Sequence, residues 1–258
     1  MAPFKPRLLR ETAEIAFSQI KRFIEPRLAE EFSLRRVTPP LYVPVGSGLN
    51  DPGEAIRFRL PGTGQEVELV NGLNRWLRTQ LVRYDIAPGF GVFAVMNAVR
   101  PMEIENSTRS PHYTAWAWQQ VISDEDATAE HLTGICKKLY TIMCETEAHI
   151  IKTLPHLDVT LPPRIAVLQL SDISESGDEK SEQRMIYEYL HSHTSRALIL
   201  YDAKALTSKI YVWNKIVGCP LPIAEIVIDT TKPVTSVGGS VLRDQFAMQI
   251  LHQPHLLT

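Results

Sequence analysis

The sequence lacks the features that mark several protein classes. It has only three cysteines among 258 residues, an odd number without metal-type spacing, so we predict no disulfide framework and no cysteine metal site. Cys136 and Cys144 lie eight residues apart in one helical pattern, and we interpret both, with Cys219, as reduced thiols of a cytoplasmic protein. No apolar run reaches the roughly 18 residues that a membrane helix needs, and the basic N-terminus has no apolar signal core.

Charge of one sign and phosphate-loop chemistry are also lacking. The formal net charge is -2, which gives no electrostatic case for nucleic acid or for an acidic membrane surface. Residues 46–53 form a turn-rich stretch with three glycines, but no Lys-Ser or Lys-Thr follows to open a helix, so this is not a phosphate loop. We therefore expect a small-molecule substrate, no nucleic-acid partner and no membrane partner.

What is present is enough apolar sequence for a full core. Hydrophobic residues make up 44% of the chain, and it has no internal repeat and no low-complexity linker. We therefore expect one domain over residues 1–258. Helical and strand patterns are mixed without strict alternation, which favours an α+β fold with a central antiparallel sheet flanked by helices.

Several element boundaries follow from periodicity and from proline. Residues 8–32 have helical spacing, and Pro26 should bend or split that helix. Residues 35–45 alternate as one strand, and residues 124–126 can cap a long helix over 127–154. Residues 237–240 are expected to open the last helix.

The chain is organised around residues 70–122. A short helix carries Arg75, a long apolar strand ends on Arg100, and a loop leads to a returning strand with Trp116 and Trp118. An arginine at the end of a sheet strand is a usual way to present a cation to an anionic ligand. The alternative is that Arg100 is only a surface ion-pair partner.

These motifs together resemble a known family. The stretches that carry the resemblance are Arg36-Val37-Thr38-Pro39-Pro40-Leu41 through Asp51, residues 70–78, residues 84–101, Trp116-Ala117-Trp118, Val212-Trp213-Asn214 and residues 238–255. In order and spacing the sequence is similar to ammonia-dependent asparagine synthetase (aspartate–ammonia ligase), a relative of the class II aminoacyl-tRNA synthetase core. The resemblance implies a six- to eight-stranded antiparallel sheet, a homodimer, and activation of the aspartate carboxylate by ATP before ammonia attacks.

Some family positions are matched and others are exchanged. The resemblance assigns the arginine that grips the α-phosphate to Arg100 and a loop aspartate to Asp51. The family lysine of the short helix is replaced by Arg75 and its neighbouring serine by Gly72. The arginine that stacks on adenine falls on Gln245.

Charge is lost in the returning strand. The family has Asp-Gln-Trp-Asp-Trp-Glu where this chain has Thr114, Ala115, Trp116, Ala117, Trp118 and Gln119. The segment between Tyr201 and Ser208 is shorter than in the family, and the family's metal-binding glutamate falls near Pro222. Exchange of carboxylates for neutral side chains in a cleft replaces desolvated charge by apolar wall.

From these exchanges we formed the hypothesis of a repurposed enzyme that has lost aspartate and ATP chemistry. It would be a cyclase, isomerase or lyase acting on a largely apolar substrate, with no cofactor and no metal. The candidate catalytic residues are Arg100, Asp51, His112, Tyr113 and Gln119. The candidate substrate-binding residues are Arg75, Asn71, Trp116, Trp118, Glu225 and Gln245. For the two tryptophans, plain core packing is the alternative.

Two other functions stay open at this point. The first alternative is a divergent ATP-dependent ligase that forms an amide, with Arg100, Arg75, Arg109 and Glu103 as a rebuilt nucleotide site. The second alternative is a non-catalytic binding or regulatory protein, for example a partner of an intact relative.

Overall fold

Two sheets and six helices make up the part of the chain that the computed structural model describes, which is residues 8–99, 101–102, 110–173 and 179–251. The main sheet has the strand order β1 (Leu34–Arg36), β5 (Gly91–Val99), β6 (His112–Val121), β11 (Ser236–Leu242), β10 (Cys219–Asp229), β9 (Thr207–Asn214), β8 (Ala197–Asp202) and β7 (Ala166–Gln169). The small sheet has the order β2 (Tyr42–Pro44), β4 (Glu66–Leu69) and β3 (Arg57–Arg59). The helices are α1 (Arg10–Glu31), α2 (Asn74–Arg83), α3 (Ala129–Thr153), α4 (Leu170–Ile173), α5 (Glu179–Ser192) and α6 (Arg243–Leu251).

The main sheet is antiparallel through its centre and parallel only at its edges. Each of the six central strands pairs antiparallel with the next one, in the order β5, β6, β11, β10, β9 and β8. At the edges, β1 pairs in parallel with β5 and β7 pairs in parallel with β8. The predicted α+β class with a central antiparallel sheet is therefore confirmed. Nearest-neighbour antiparallel pairing needs only short connections, which suits the hairpin between β9 and β10.

The two faces of the main sheet are covered differently. One face, here called the helix side, packs against α1, α3 and α6 and carries Phe93, Trp116 and Trp118. The other face, here called the α2 side, carries Ala94, Ala115 and Ala117 beneath α2. Side chains alternate between the faces because successive residues of a strand point in opposite directions.

Helix α1 forms where the spacing of buried residues predicts it. Ile20, Ile24 and Leu28 recur at four-residue intervals, and each is at most 1% exposed. Full burial of such a side chain stabilises the fold by roughly 2 kcal/mol. Pro26 lies inside the helix, and the helix continues to Glu31, so the expected split does not occur.

Strand β11 corrects the sequence analysis. Residues 237–240 were expected to open a helix, but they lie in the middle of the main sheet between β6 and β10. A Cβ at Gly238 would lie 2.3 Å from the side chain of Gln119, and a Cβ at Gly239 would lie 2.2 Å from the carbonyl oxygen of Glu225. The glycines therefore allow close approach of neighbouring strands, and the helix begins only at Arg243.

Two smaller expectations are also wrong. Residues 35–45 do not form one strand, because β1 and β2 belong to different sheets and the Pro39-Pro40 pair lies between them. The cap of α3 is Thr128, whose side chain accepts a hydrogen bond from the backbone N–H of His131, not the acidic run before it.

Two predictions from composition can be compared with the structure. All three cysteines are free thiols. Among the helices of the described ranges, none is both long enough and apolar enough to cross a membrane.

Candidate functional site

The N-terminus of α2 is held by a carboxylate from a distant loop. Leu73, at the N-cap position, makes no side-chain cap. The Asp51 carboxylate accepts instead from the backbone N–H of Arg75 at 3.3 Å and from the Asn74 amide at 3.2 Å. A carboxylate is stabilised there because the first turn of a helix leaves N–H groups unpaired and carries partial positive charge.

The turn that enters α2 is fixed by two asparagines. The Asn50 amide donates to Glu68 and to the Leu69 carbonyl, and its own oxygen accepts the backbone N–H of Asn71. The Asn71 side chain donates to the Asp51 carbonyl, and its Oδ1 has no hydrogen-bond partner within the described residues. Asn71, a predicted substrate-binding residue, therefore lies beside Asp51 with one acceptor unused.

Gly72 and Asp51 occupy adjoining space at this turn. A Cβ built on Gly72 would lie 2.1 Å from Oδ2 of Asp51 and 2.7 Å from its Cβ. The Asp51 side chain can therefore reach α2 only because position 72 has no side chain. Arg75 is exposed at the second position of α2, so its guanidinium is available at the edge of this cluster.

An arginine of α2 that the sequence analysis did not single out, Arg78, holds the helix against the sheet. Arg78 forms an ion pair with Asp229 and donates to the backbone carbonyls of Thr231 and Val234. Asp229 ends β10, and Thr231 and Val234 lie in the connection to β11. The helix is therefore held at its N-terminus by Asp51 and near its middle by Arg78, which has a structural role. Its spacing of three from Arg75 was a signal that sequence analysis could have used, since the two side chains lie on neighbouring parts of the helix surface.

The floor beneath α2 is apolar. Ala115 and Ala117 have no exposed surface and pack in one cluster with Leu73 and Leu77. By the resemblance, these two alanines stand where the family has glutamine and aspartate. The structure therefore shows apolar packing at both positions.

Gln119 lies further along the same face and is bound internally. It is 1% exposed, and its carbonyl oxygen accepts the hydroxyl of Ser236 at 3.0 Å. Its backbone pairs with Gly238, whose missing side chain makes room for it. Gln119, a predicted catalytic residue, is positioned by the neighbouring strand and is enclosed in this structure.

Two predicted substrate-binding residues, Glu225 and Gln245, have exposed surface. Glu225 is half-exposed and lies 4.0 Å from Lys209 on the neighbouring strand. Such an exposed pair contributes little to stability. Gln245 lies in the first turn of α6 and is partly exposed.

The substrate-binding assignment of the two tryptophans needs correction. Trp116 and Trp118 are at most 1% exposed and lie on the helix side, opposite Ala115 and Ala117. Trp118 stacks on Phe32 with ring centroids 4.9 Å apart. The packing alternative describes both residues, because a side chain without exposed surface has none to offer a ligand on the α2 side.

Of the remaining predicted catalytic residues, His112 has a described side chain, and it lies away from Asp51. His112 is exposed and lines a cavity on the helix side, so the sheet separates it from the Asp51 cluster. Tyr113, in β6, pairs with Ala98 of β5, and its side chain lies outside the described atoms. Arg100, Glu103 and Arg109 lie outside the described residues.

The described donors do not form a magnesium site. Over residues 8–99, 101–102, 110–173 and 179–251, no group of three or more His, Cys, Asp and Glu side chains is placed to hold a metal ion. Asp51 is occupied as a helix cap, and the side chain of Gln119 is an amide and not a carboxylate. The magnesium that accompanies ATP in the family would need ligands beyond these groups.

Solved structures similar to this chain include asparaginyl-tRNA synthetases. Asparaginyl-tRNA synthetase from Pyrococcus horikoshii, complexed with asparaginyl-adenylate, superposes with a TM-score of 0.70 at 10% identity, covering 96% of this chain and 67% of that one. The asparaginyl-tRNA synthetase of Entamoeba histolytica gives a TM-score of 0.65 at 13% identity, covering 96% of this chain and 66% of that one. At these identities the likeness shows the class II synthetase fold alone.

The relatives that match by sequence are named as one kind of ligase. The protein of Bacteroides thetaiotaomicron named aspartate–ammonia ligase is 33% identical over 177 residues, covering 67% of this chain and 51% of that protein. The aspartate–ammonia ligase of Ruminiclostridium cellulolyticum is 29% identical over 262 residues, covering 96% of this chain and 77% of that protein. The chain thus spans about half the length of the first of these relatives.

These relatives overturn the main functional hypothesis. An ATP-independent cyclase, isomerase or lyase that has lost aspartate and ATP chemistry is wrong, because several relatives at 29–34% identity are named as ligases. Loss of charge at single positions of a cleft alters what is bound there, and it does not by itself identify a new reaction. The ligase alternative is favoured instead. The family model described as aspartate-ammonia ligase matches residues 11–202, which is most of the chain, and the chain belongs to the aspartate–ammonia ligase family.

Proposed function

We propose that the chain is an ATP-dependent ligase that joins a carboxylate to ammonia as an amide. The observation that carries the proposal is the family match over residues 11–202, together with a relative that aligns over 96% of the chain. Aspartate and ammonia are the substrates in the names of the relatives, so they are the first pair to test.

In the proposed reaction, a carboxylate oxygen attacks the α-phosphorus of ATP and pyrophosphate leaves. Ammonia then attacks the activated carboxyl carbon, AMP leaves with the bonding electron pair, and the amine nitrogen gives up a proton. Negative charge on the phosphate oxygens is stabilised by cations already in place. By the resemblance, Arg100 is the residue for the α-phosphate.

The start of α2 supports a second cation near the reacting groups. Arg75 is exposed, and its own backbone N–H is fixed by Asp51, so the direction in which its side chain leaves the helix is set. Arg75 stands where the family has lysine. A guanidinium can bind two phosphate oxygens at once, whereas lysine acts as a point charge. We propose that Arg75 binds phosphate oxygens of ATP.

The α2 side of the sheet has little charge at these positions. Ala115 and Ala117 are buried and offer no hydrogen bonds, and Gln119 is bound to Ser236. Polar groups near the start of α2 include Asp51, the exposed Arg75, and the Oδ1 atoms of Asn71 and Asn74, which have no hydrogen-bond partner within the described residues. We propose that selectivity for the acid is broader than for aspartate alone. An acid panel of aspartate, succinate and butyrate, each with ATP-Mg and ammonium, measures it through release of pyrophosphate.

The test of the nucleotide site compares two arginines of one helix. Arg75→Ala is expected to lower kcat/KM by about 100-fold, as removal of one group that stabilises developing charge does. Arg83→Ala is the matched control, because Arg83 is also exposed but lies in the last turn of α2. Equal activity in both variants contradicts a role for Arg75 at the phosphates.

Three expectations from the sequence stay predictions. They are a homodimer, a cytoplasmic location and a single domain over residues 1–258. Light scattering of the purified chain measures the oligomeric state, and limited proteolysis tests whether the chain resists cutting as one unit.

A further inference from the structure

A cavity lies between α1 and the helix side of the main sheet. Its volume is about 710 Å³, within the range of small-molecule pockets. The residues used in the argument are Lys21, Glu25, Arg36, Asn97, His112 and Arg243, and we call this cavity the helix-side pocket. The strands β5 and β6 separate it from Asp51 and Gly72, because Asn97 and His112 belong to the helix-side face.

Arg243 is a buried cation with unused donors in this pocket. It is only 6% exposed, and its Nε and Nη1 have no hydrogen-bond partner within the described ranges. Its guanidinium lies over the rings of Phe17 and Trp116, 5.4 Å from each centroid. Cation–π contact offsets part of the cost of burial, but it leaves the N–H groups unpaired.

The carboxylate of Glu25 in this pocket already binds other groups. Glu25 accepts the indole N–H of Trp116 at 3.0 Å and forms an ion pair with Arg36 at 3.1 Å. Burial lowers the pKa of Lys21, and Arg243 lowers it further, with Glu25 opposing. Burial also lowers the pKa of Arg243, with Asp244 and Glu25 opposing. In both groups burial is the main cause, and it disfavours the charged form.

The lining as a whole has more cations than anions. Among the described residues that line it, the cations are Lys21, Arg22, Arg36 and Arg243, whereas the carboxylates are Glu14 and Glu25. Glu14 is itself paired with Arg10 at 3.3 Å. A buried charge is costly unless a partner with good geometry meets it. Asp244 and Glu25 oppose part of that cost for Arg243, but no group of the described residues accepts a hydrogen bond from its Nε or Nη1.

We propose that the helix-side pocket binds a small oxyanion, a carboxylate or a phosphate, on the unused donors of Arg243 and on Lys21. A planar guanidinium presents two N–H groups in the geometry that both kinds of anion match. Asn97 and His112 at the same cavity add polar groups for the rest of the ligand. The site lies behind the sheet from the proposed ligase site and is independent of it.

Thermal melting of the full chain tests this without ATP. Sodium phosphate, sodium succinate and sodium chloride are titrated at constant ionic strength. Phosphate or succinate is expected to raise Tm saturably by about 4 °C or more, while chloride does not. A response to phosphate alone identifies a phosphate ligand, and a response to succinate alone identifies a carboxylate.

Variants locate the anion. Arg243→Gln and Lys21→Gln are expected to weaken the apparent Kd at least about tenfold, corresponding to loss of one charged hydrogen bond. Lys137→Gln, on the exposed surface of α3, is the charge-matched control and keeps the wild-type Kd. If Arg243→Gln fails to fold, Lys21→Gln alone decides.

Three results overturn the proposal. They are no saturable response to either anion, a response kept in both pocket variants, and a response lost in Arg75→Ala. The last result would place the anion on the α2 side, at the proposed ligase site. Because melting needs no turnover, an inactive chain with a normal anion response rejects the ligase proposal and leaves this one standing.

Discussion

Gly72 and Asp51 share one space at the start of α2. The position of a Cβ on Gly72 is 2.1 Å from the Asp51 carboxylate oxygen, and that carboxylate accepts the Arg75 N–H and the Asn74 amide. The absence of a side chain at position 72 therefore determines the hydrogen bonds of Asp51.

Gly72→Ala should release the Asp51 cap. The new methyl group displaces the carboxylate, so the free energy of unfolding should fall by about 1–2 kcal/mol, the usual cost of losing a cap. Gly62→Ala is the control, because a Cβ there meets nothing within 4 Å and its φ is not in the left-handed region. Urea unfolding measures both.

A double-mutant cycle decides whether the cap is the cause. In an Asp51→Gly background both the cap and the Asp51 Cβ, which would lie 2.7 Å from the new methyl group, are absent, so Gly72→Ala should then cost about 0.5 kcal/mol or less. If the two losses add in full, the substitutions act independently and the relationship between the two residues is not the one described.

The apolar floor under α2 can be tested by placing at position 117 the aspartate that the resemblance implies there. Ala117→Asp introduces a carboxylate at a position with no exposed surface, among leucines and alanines. An unpaired buried charge typically costs about 3–5 kcal/mol, so we expect a loss of that order in urea unfolding. Ala87→Asp, at an exposed loop position, should stay within about 0.5 kcal/mol. An Ala117→Asp variant as stable as wild type would mean that the floor is open to solvent.

Buried Glu147 predicts the direction of one pH dependence. It is 3% exposed and accepts the backbone N–H groups of Thr160 at 2.8 Å and Leu161 at 3.1 Å. Burial raises its pKa above 4.5, and the hydrogen bonds from Thr160 and Leu161 only partly oppose this. The folded state therefore holds the proton more tightly than the unfolded chain, so this group's contribution is full below pH 4.5 and is lost as pH rises through the raised pKa.

Glu147→Gln removes that titration and keeps an acceptor oxygen. The unfolding free energy of Glu147→Gln relative to wild type should rise with pH above 4.5 and then level off. Glu147→Ala also lacks the titration, so its stability should follow the same pH course about 1–3 kcal/mol below that of Glu147→Gln, because it leaves buried N–H groups unpaired. Urea unfolding at a series of pH values measures both variants. A wild type that gains on Glu147→Gln as pH rises contradicts the direction of the pKa shift.

The sequence predicted elements whose own residues determine their structure. The four-residue spacing of Ile20, Ile24 and Leu28 was enough for α1, since one buried stripe defines a helix face. Strand β11 was missed because Gly238 and Gly239 have low strand propensity on their own. Glycine is needed at both positions because Gln119 and Glu225 on the neighbouring strands leave no room for a Cβ.

The site was predicted in part for the same reason. Asp51, Asn71 and Arg75 were all singled out, and the structure brings them together at α2. The unused donors of Arg243 could not be read from the chain, because they depend on which groups Glu25 already binds. Partners that are distant in sequence determine whether a charge is satisfied.

The decisive experiment for the ligase proposal is amide formation from ATP-Mg, aspartate and nitrogen-15-labelled ammonium by the purified chain. We expect labelled asparagine in equal amounts with AMP and pyrophosphate, with turnover at least about 100-fold lower in Arg100→Ala. The acid panel follows if aspartate is a poor substrate. Absence of AMP and pyrophosphate with every acid, or turnover unchanged in Arg100→Ala, would contradict the assignment of an ATP-dependent ligase.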